Sequence, residues 1–158
     1  MTLDKAELKD VIERLEKADG PDREIDSYIY YDILGYCRHA NRTYSGTQSD
    51  TGFDCDDCGA SSWGELGKFG QRLYDAPPNY TASVDAAIAL TERMLPGWAR
   101  SVSKWHKGDA TCVLTECHEE KDGLWWHNSH DLVMEASHKT EPLALLLALF
   151  KALLAKEE

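Results

Sequence analysis

The chain has 158 residues and a formal net charge of −11, and hydrophobic residues make up 42% of it. This length and apolar content suffice for one packed core, so they argue against a disordered chain and predict a single domain over residues 1–158. The negative charge disfavours direct binding to nucleic acid, which normally depends on a clustered basic surface. It is compatible with a protein partner or simply with solubility.

The first ten residues alternate in charge and lack the apolar core of a secretory signal. No apolar run reaches the ~18 residues that a membrane span needs, and the longest one, residues 142–155, is interrupted by Lys151. We therefore expect no membrane contact and a cytoplasmic location. In that reducing compartment the five cysteines are thiols or metal ligands rather than a disulfide framework.

The N-terminal part of the chain predicts two helices. Apolar residues recur at helical spacing over residues 3–18, and Gly20 marks the end of that helix. Pro21 suits the first turn of a second helix over residues 21–34. The periodicity is then lost in an insertion at about residues 36–71. A structureless loop of that length is unusual in a compact domain unless something orders it.

The C-terminal half predicts a helix, several strands and a last helix. Thr81 or Ser83 can cap the first of these helices, which ends at Pro96-Gly97. Four short segments rich in β-forming residues follow, at residues 98–105, 110–118, 124–127 and 132–137. Thr140 can cap the last helix, whose residues are apolar almost all the way round as far as residue 155. Such a helix needs cover on more than one side.

This order of elements predicts an α+β fold: an antiparallel β-meander of three to four strands sandwiched by helices, with a Cys-rich, zinc-knuckle-like insertion. Residues 81–156 alone follow the order α-β-β-β-α, which double-stranded-RNA-binding domains share. Glu141 and Pro142 stand where those domains place lysines for phosphate, so we disfavour that interpretation. Burial inside the chain is the preferred explanation of the apolar last helix, and a homodimer through this C-terminal helix is the alternative.

Four residues of the insertion have the spacing of a metal site. Cys55-x-x-Cys58, followed by Gly59, is a knuckle that can turn two thiolates onto one tetrahedral centre. Cys37-x-His39 places two further ligands on one face of an extended segment, and fifteen residues separate His39 from Cys55. We therefore predict a structural zinc ion bound by Cys37, His39, Cys55 and Cys58, which would also order the insertion. A redox pair at Cys55 and Cys58 and free thiols are the alternatives, although neighbouring aspartates disfavour a reactive thiolate.

Other residues that could carry chemistry have simpler explanations. His127-x-x-His130 lacks a positioned general base, so we interpret both residues as surface histidines. Cys112 and Cys117 would face opposite sides of one strand, and at least one of them should be a core thiol. The sequence contains no phosphate-binding glycine loop with Lys-Ser/Thr and no G-x-S-x-G elbow. We predict no catalytic residue and no organic cofactor.

Three stretches occur together in a familiar order: Gly20-Pro21-Asp22-Arg23-Glu24-Ile25-Asp26, then Tyr80-Thr81-Ala82-Ser83-Val84-Asp85-Ala86-Ala87 with Pro96-Gly97-Trp98, then Thr140-Glu141-Pro142-Leu143-Ala144-Leu145. Over most of the chain they resemble the phage ABA sandwich domain family, small proteins encoded in bacteriophages and prophages. The resemblance implies a helix–sheet–helix sandwich and a bacterial host cell. It implies no activity, and no functional residue is carried over from it.

These features favour a non-enzymatic phage or prophage accessory protein that acts by protein–protein contact on a host or defence factor. The acidic composition and the missing catalytic set support it. If Trp125-Trp126 lies on a strand, one ring faces outward, where it either anchors a partner or is covered by a second helix layer. The alternative is a zinc-stabilised protein associated with nucleic acid, which the knuckle and the α-β-β-β-α order suggest.

Overall fold

A computed structural model describes residues 4–47, 50–63, 66–67, 72, 75–104, 108–119, 125–126 and 132–157. The helices are α1 (Lys5–Lys17), α2 (Arg23–Tyr28), which continues into a π-helical turn (Ile29–Ile33), α3 (Val84–Met94) and α4 (Glu141–Lys156). The strands are β1 (Arg42–Thr47), β2 (Asp50–Cys55), β3 (Trp98–Lys104), β4 (Ala110–Glu116), β5 (His118–Glu119), β6 (Trp125–Trp126) and β7 (Val133–His138). In the described part of the chain, no helix is both long and apolar enough to span a membrane.

The chain divides into two compact units, one formed by residues 1–26 with 78–158 and the other by residues 27–77. Helix α1 opens the first unit, and the carboxylate of Asp4 caps it by accepting the N–H of Ala6 at 3.1 Å. Arg14 pairs with Asp10 one turn earlier on the exposed side. The buried stripe predicted by the helical spacing is confirmed and consists of Leu8, Val11, Ile12 and Leu15.

Ser83, rather than Thr81, caps α3: its hydroxyl accepts the N–H of Ala86 at 3.2 Å. The hydroxyl of Thr81 is engaged elsewhere, since it accepts the N–H of Asp22 at 2.8 Å and donates to the Asp22 carbonyl at 3.1 Å. The N–H of Thr81 donates to the buried carboxylate of Asp26 at 2.8 Å. The hydroxyl of Thr81 is therefore occupied by hydrogen bonds to Asp22, a residue 59 positions away in the sequence, and does not cap α3.

The sheet of the first unit has three antiparallel strands in the order β3-β4-β7. Along β4 every second residue is fully buried, namely Ala110, Cys112 and Leu114. The predicted strand at residues 110–118 is interrupted: β4 ends before Cys117, and β5 pairs with β6 in a separate two-stranded ladder. Cys112 is therefore the expected core thiol, whereas Cys117 lies outside the strands and the opposite-face prediction does not apply to it.

Helix α4 packs against the sheet through β4 and β7 and against α1 and α3. Its residues Pro142 to Phe150 and Ala152 are all buried, which confirms that this apolar helix is covered on more than one side. The predicted α+β class, with antiparallel strands packed on helices, is confirmed. Helix α4 is the middle layer of the first unit, because the sheet strands β4 and β7 and the helices α1 and α3 all pack against it.

Thr140 occupies the N-cap position of α4, as predicted, but its hydroxyl makes no capping bond. It is also buried without a partner among the described residues. A capping side chain bonds the second or third N–H of a helix, and here Pro142 removes the second of them. The cap is reduced to the Thr140 carbonyl, which accepts the N–H of Ala144 at 3.0 Å.

The predicted helix over residues 21–34 is present, but its last part is a π-helical turn in which the N–H of Leu34 donates to the Ile29 carbonyl at 2.9 Å. The Tyr30 ring stacks on the Tyr36 ring, with centroids 4.2 Å apart. The insertion then forms the antiparallel β1–β2 hairpin, which was not predicted. Its strands carry Thr, Ser, Gly and Asp in place of an alternating apolar pattern, so no period-2 signal was visible.

Candidate metal centre

The β1–β2 hairpin brings the two halves of the predicted site together. Arg42 at the start of β1 lies opposite Cys55 at the end of β2. Cys37 and His39 lie just before β1, and they are therefore close to Cys55 at the end of β2. Cys58 follows in the turn after β2. Antiparallel pairing therefore brings together two short motifs whose first cysteines, Cys37 and Cys55, are eighteen positions apart.

The turn that carries Cys58 is a tight one. The N–H of Gly59 donates to the Cys55 carbonyl at 2.8 Å, and the N–H of Cys55 donates to the Ala60 carbonyl at the same distance. Gly59 has a φ of +78°, a conformation that side-chain-bearing residues seldom adopt. This confirms the expected role of the glycine, which lets the backbone fold back beneath the two thiols.

The other half of the site is held in an unusual backbone conformation. His39 has a φ of +50° and is 4% exposed. Arg42 holds this conformation in place by donating from Nε to the His39 carbonyl at 2.8 Å. The N–H of His39 points at the Cys37 sulfur, 3.3 Å away. Non-glycine residues with positive φ cluster at sites where the local geometry serves a function.

The four side chains present their ligand atoms to one another. Cys37 Sγ lies 3.6 Å from Cys55 Sγ, and Cys58 Sγ lies 3.4 Å from His39 Nδ1. All four ligand atoms lie within 4.8 Å of one another. Tetrahedral bonds of about 2.3 Å to sulfur and about 2.0–2.1 Å to nitrogen separate two sulfurs by about 3.8 Å and a sulfur from a nitrogen by about 3.5 Å. This cluster can hold a metal ion.

Burial and hydrogen bonding act differently on the thiols. Burial raises the pKa of Cys37 to about 11, and the neighbouring Cys55 and Cys58 thiols act in the same direction, whereas the N–H of His39 opposes them. For Cys55 burial also acts to raise the pKa, but the N–H groups of Cys58 and Asp57 and the neighbouring thiols outweigh it and lower the pKa. Backbone amides thus already favour a thiolate at Cys55.

The site lies in a small apolar patch. Cys55 and Ala60 are buried together, and Cys37 and Cys58 pack partly buried against them. The aspartates nearby point outward: Asp57 accepts the side-chain amide of Asn41 at 3.0 Å, and Asp56 accepts the Thr43 hydroxyl at 2.6 Å. The carboxylates at these two positions therefore serve the hairpin rather than the cluster.

Cys112 and Cys117 are not part of this cluster. Cys112 is buried in β4, and Cys117 follows that strand, with its thiol directed at the Thr115 carbonyl at 3.5 Å. His127 and His130 lie outside the described residues. Searches against protein-family models, curated proteins and solved structures found no match. The resemblance to the phage ABA sandwich family stays a prediction.

Proposed function

We propose that the cluster of Cys37, His39, Cys55 and Cys58 binds one structural zinc ion. The observation that supports this proposal is the spacing of the four ligand atoms, which all lie within 4.8 Å of one another, close to the separations in a tetrahedral centre. Thiolates and imidazoles are ligands that bind Zn²⁺ well, whereas Mg²⁺ and Ca²⁺ prefer oxygen ligands. Three thiolates and one imidazole therefore favour zinc. Four protein ligands fill a tetrahedral shell, so the site is of the closed, structural kind rather than a catalytic site with an open position.

Zinc also accounts for a folded hairpin that has a poor core. The described strand residues Tyr44 and Phe53 are exposed, and the buried cluster at this end of the hairpin consists of Cys55 and Ala60. An isolated two-stranded hairpin is marginally stable in water. Because the unfolded chain does not hold the four ligands together, the free energy of metal binding contributes to folding. The zinc ion would take the place of the missing apolar contacts.

Metal analysis of the purified full chain tests the site. About one equivalent of zinc is expected, and Cys58→Ser should lose most of it because the tetrahedral shell becomes incomplete. Cys117→Ser is the matched control, since it removes a half-buried thiol outside the cluster and should leave the zinc content unchanged. Less than about half an equivalent in the wild type, with no change in Cys58→Ser, would contradict the proposal.

We further propose that the protein is a non-enzymatic accessory protein, of phage or prophage origin, that acts in a bacterial cell by protein–protein contact. Several large hydrophobic side chains are exposed in the second unit: Tyr44, Phe53, Trp63 and Leu66. Exposed aromatic residues beside an ordered loop are typical of partner-binding surfaces. The net charge of −11 favours a protein over a nucleic acid as that partner.

Affinity capture from bacterial lysate tests this function, with the zinc-loaded chain as bait and Cys58→Ser as the matched bait. A stoichiometric protein that the wild type retains and the variant loses is the expected result. Absence of such a protein, or equal capture by both baits, would count against contact through the zinc-ordered unit. A salt-sensitive shift of labelled DNA or RNA at micromolar protein would instead favour the nucleic-acid alternative.

A further inference from the structure

One side of the β1–β2 hairpin carries an exposed tryptophan over a glycine. Ser61 pairs with Asp54 in an additional antiparallel bridge, which brings the following chain back along β2. The indole of Trp63 then covers Gly52: its Cε2 lies 2.6 Å from the position that a Cβ would take on that glycine. Only a glycine leaves room for this arrangement, and Trp63 is nevertheless 55% exposed.

Two carboxylates lie farther along the same side of the hairpin. Residues two apart on a strand share a face, so Asp54 lies on the same side of β2 as Gly52, about 7 Å along the strand. Thr43 is the cross-strand partner of Asp54, and its hydroxyl holds the carboxylate of Asp56 at 2.6 Å. We call the side formed by Gly52, Asp54, Asp56 and Trp63 the Trp63 face.

The carboxylates of the Trp63 face have no positive partner within the described part of the chain. Neither Asp54 nor Asp56 forms an ion pair there with a lysine, arginine or histidine. The opposite side of the hairpin differs in charge. It carries the Tyr44–Phe53 ring pair, with centroids 5.9 Å apart, and the exposed cation Arg42 on the same side as Tyr44.

We propose that the Trp63 face docks a lysine- or arginine-bearing segment of a partner protein, an inference that rests on the proposed contact function. An aromatic ring attracts a cation over its face, and carboxylates on the same side of the hairpin would bind the ammonium or guanidinium groups of the same segment. A zinc ion held by three thiolates and one imidazole would add a net negative charge to the same unit. Together these groups select a basic peptide and repel nucleic-acid phosphates.

Fluorescence anisotropy with the zinc-loaded full chain tests this docking. The probe is a labelled octapeptide of alternating lysine and alanine, with a glutamate–alanine octapeptide and a labelled single-stranded RNA as comparison probes. Trp63→Ala should weaken binding of the lysine peptide about threefold to tenfold, the range of one cation–π contact. Gly52→Ala should weaken it similarly, because the added Cβ displaces the indole. Asp54→Asn should weaken binding of the lysine peptide more at low salt than at high salt, because salt screens the attraction between exposed charges.

Two matched controls separate the Trp63 face from the general acidity of the protein. Tyr44→Ala removes an equally exposed aromatic residue on the opposite side, and Glu135→Gln removes one exposed carboxylate in the first unit. Both should change the affinity less than about twofold. An effect of either control as large as that of Trp63→Ala, or tighter binding of the RNA than of the lysine peptide, would overturn the proposal.

Zinc content distinguishes the failure of this inference from failure of the proposed function. Each variant of the Trp63 face keeps all four ligands and should retain the zinc content of the wild type. If zinc is retained and a partner is captured from lysate, unchanged peptide binding by Trp63→Ala refutes the Trp63 face alone. If the wild type holds no zinc, the metal proposal itself fails.

Discussion

The buried carboxylate of Asp26 offers the sharpest test of how the first unit is held together. Asp26 is 1% exposed and accepts two hydrogen bonds: the N–H of Thr81 at 2.8 Å and a guanidinium N–H of Arg23 at 3.0 Å. Thr81 is fully buried and also bonds both backbone groups of Asp22. These bonds join the start of α2 to the turn before α3. Asp26→Ala removes the acceptor, and Asp26→Asn keeps one oxygen in place.

We expect the two variants to lower the free energy of unfolding by different amounts. In Asp26→Ala the buried N–H of Thr81 loses its acceptor, which costs about 1–3 kcal/mol for desolvation without a partner. The loss of the Arg23 contact adds little, because that side chain is 55% exposed and can turn to water. We expect Asp26→Ala to lower the free energy of unfolding by about 2–3 kcal/mol and Asp26→Asn by about 1 kcal/mol.

Urea unfolding followed by circular dichroism at 222 nm measures these values, since α1, α3 and α4 all belong to the first unit. Thr81→Ser, which keeps the hydroxyl and the backbone N–H, is the matched control and should cost less than Asp26→Ala. If Asp26→Ala lies within about 0.5 kcal/mol of the wild type, or if both Asp26 variants lose the same amount, the buried hydrogen bond is not what stabilises this junction.

Three further outcomes follow from the structure. Phe150→Ala in the middle layer should lower the free energy of unfolding by about 3–5 kcal/mol, and Leu153→Ala, which is half-buried, by clearly less. Burial raises the pKa of Cys112 from 9.0 to about 11. The folded state therefore favours the neutral thiol, and its contribution to stability is complete below pH 9 and is lost as the pH rises towards 11. Urea midpoints against pH should show a shallower decline for Cys112→Ala than for the wild type. Gly59→Ala should weaken zinc binding by about 1 kcal/mol in a chelator competition because of the positive φ, whereas Gly20→Ala should leave it unchanged.

The candidate metal centre was predicted from local sequence patterns. Cys55-x-x-Cys58 with Gly59 and Cys37-x-His39 are short motifs whose chemistry depends on residue type and spacing, and the structure brings all four ligands together. The hairpin that joins them was not predicted. The hairpin forms by pairing of two strands that consist mostly of polar residues and glycine. Such strands show no alternation of apolar and polar residues in the sequence.

The capping residues show a second limit of local reasoning. Thr81 and Ser83 are equally good caps by residue type, and only the long-range bonds of Thr81 to Asp22 and Asp26 decide between them. Likewise, Thr140 stands at the N-cap position, but Pro142 deprives it of one of the N–H groups that it could bond. Residue propensities predict where a helix begins or ends. Which side chain caps that end depends on the other contacts that each candidate makes in the folded chain.

The fold class, the extent of most helices and the four residues of the candidate metal centre could be predicted from the sequence, because helical periodicity and the spacing within each Cys/His motif are local patterns. Three features became visible only in the folded chain: α4 is the middle layer of the first unit, β5 and β6 form a ladder separate from the three-stranded sheet, and Trp63 covers Gly52. These features depend on contacts between residues that are distant along the chain. Such contacts depend on which surfaces meet in the folded state, and the local pattern of each segment does not contain that information.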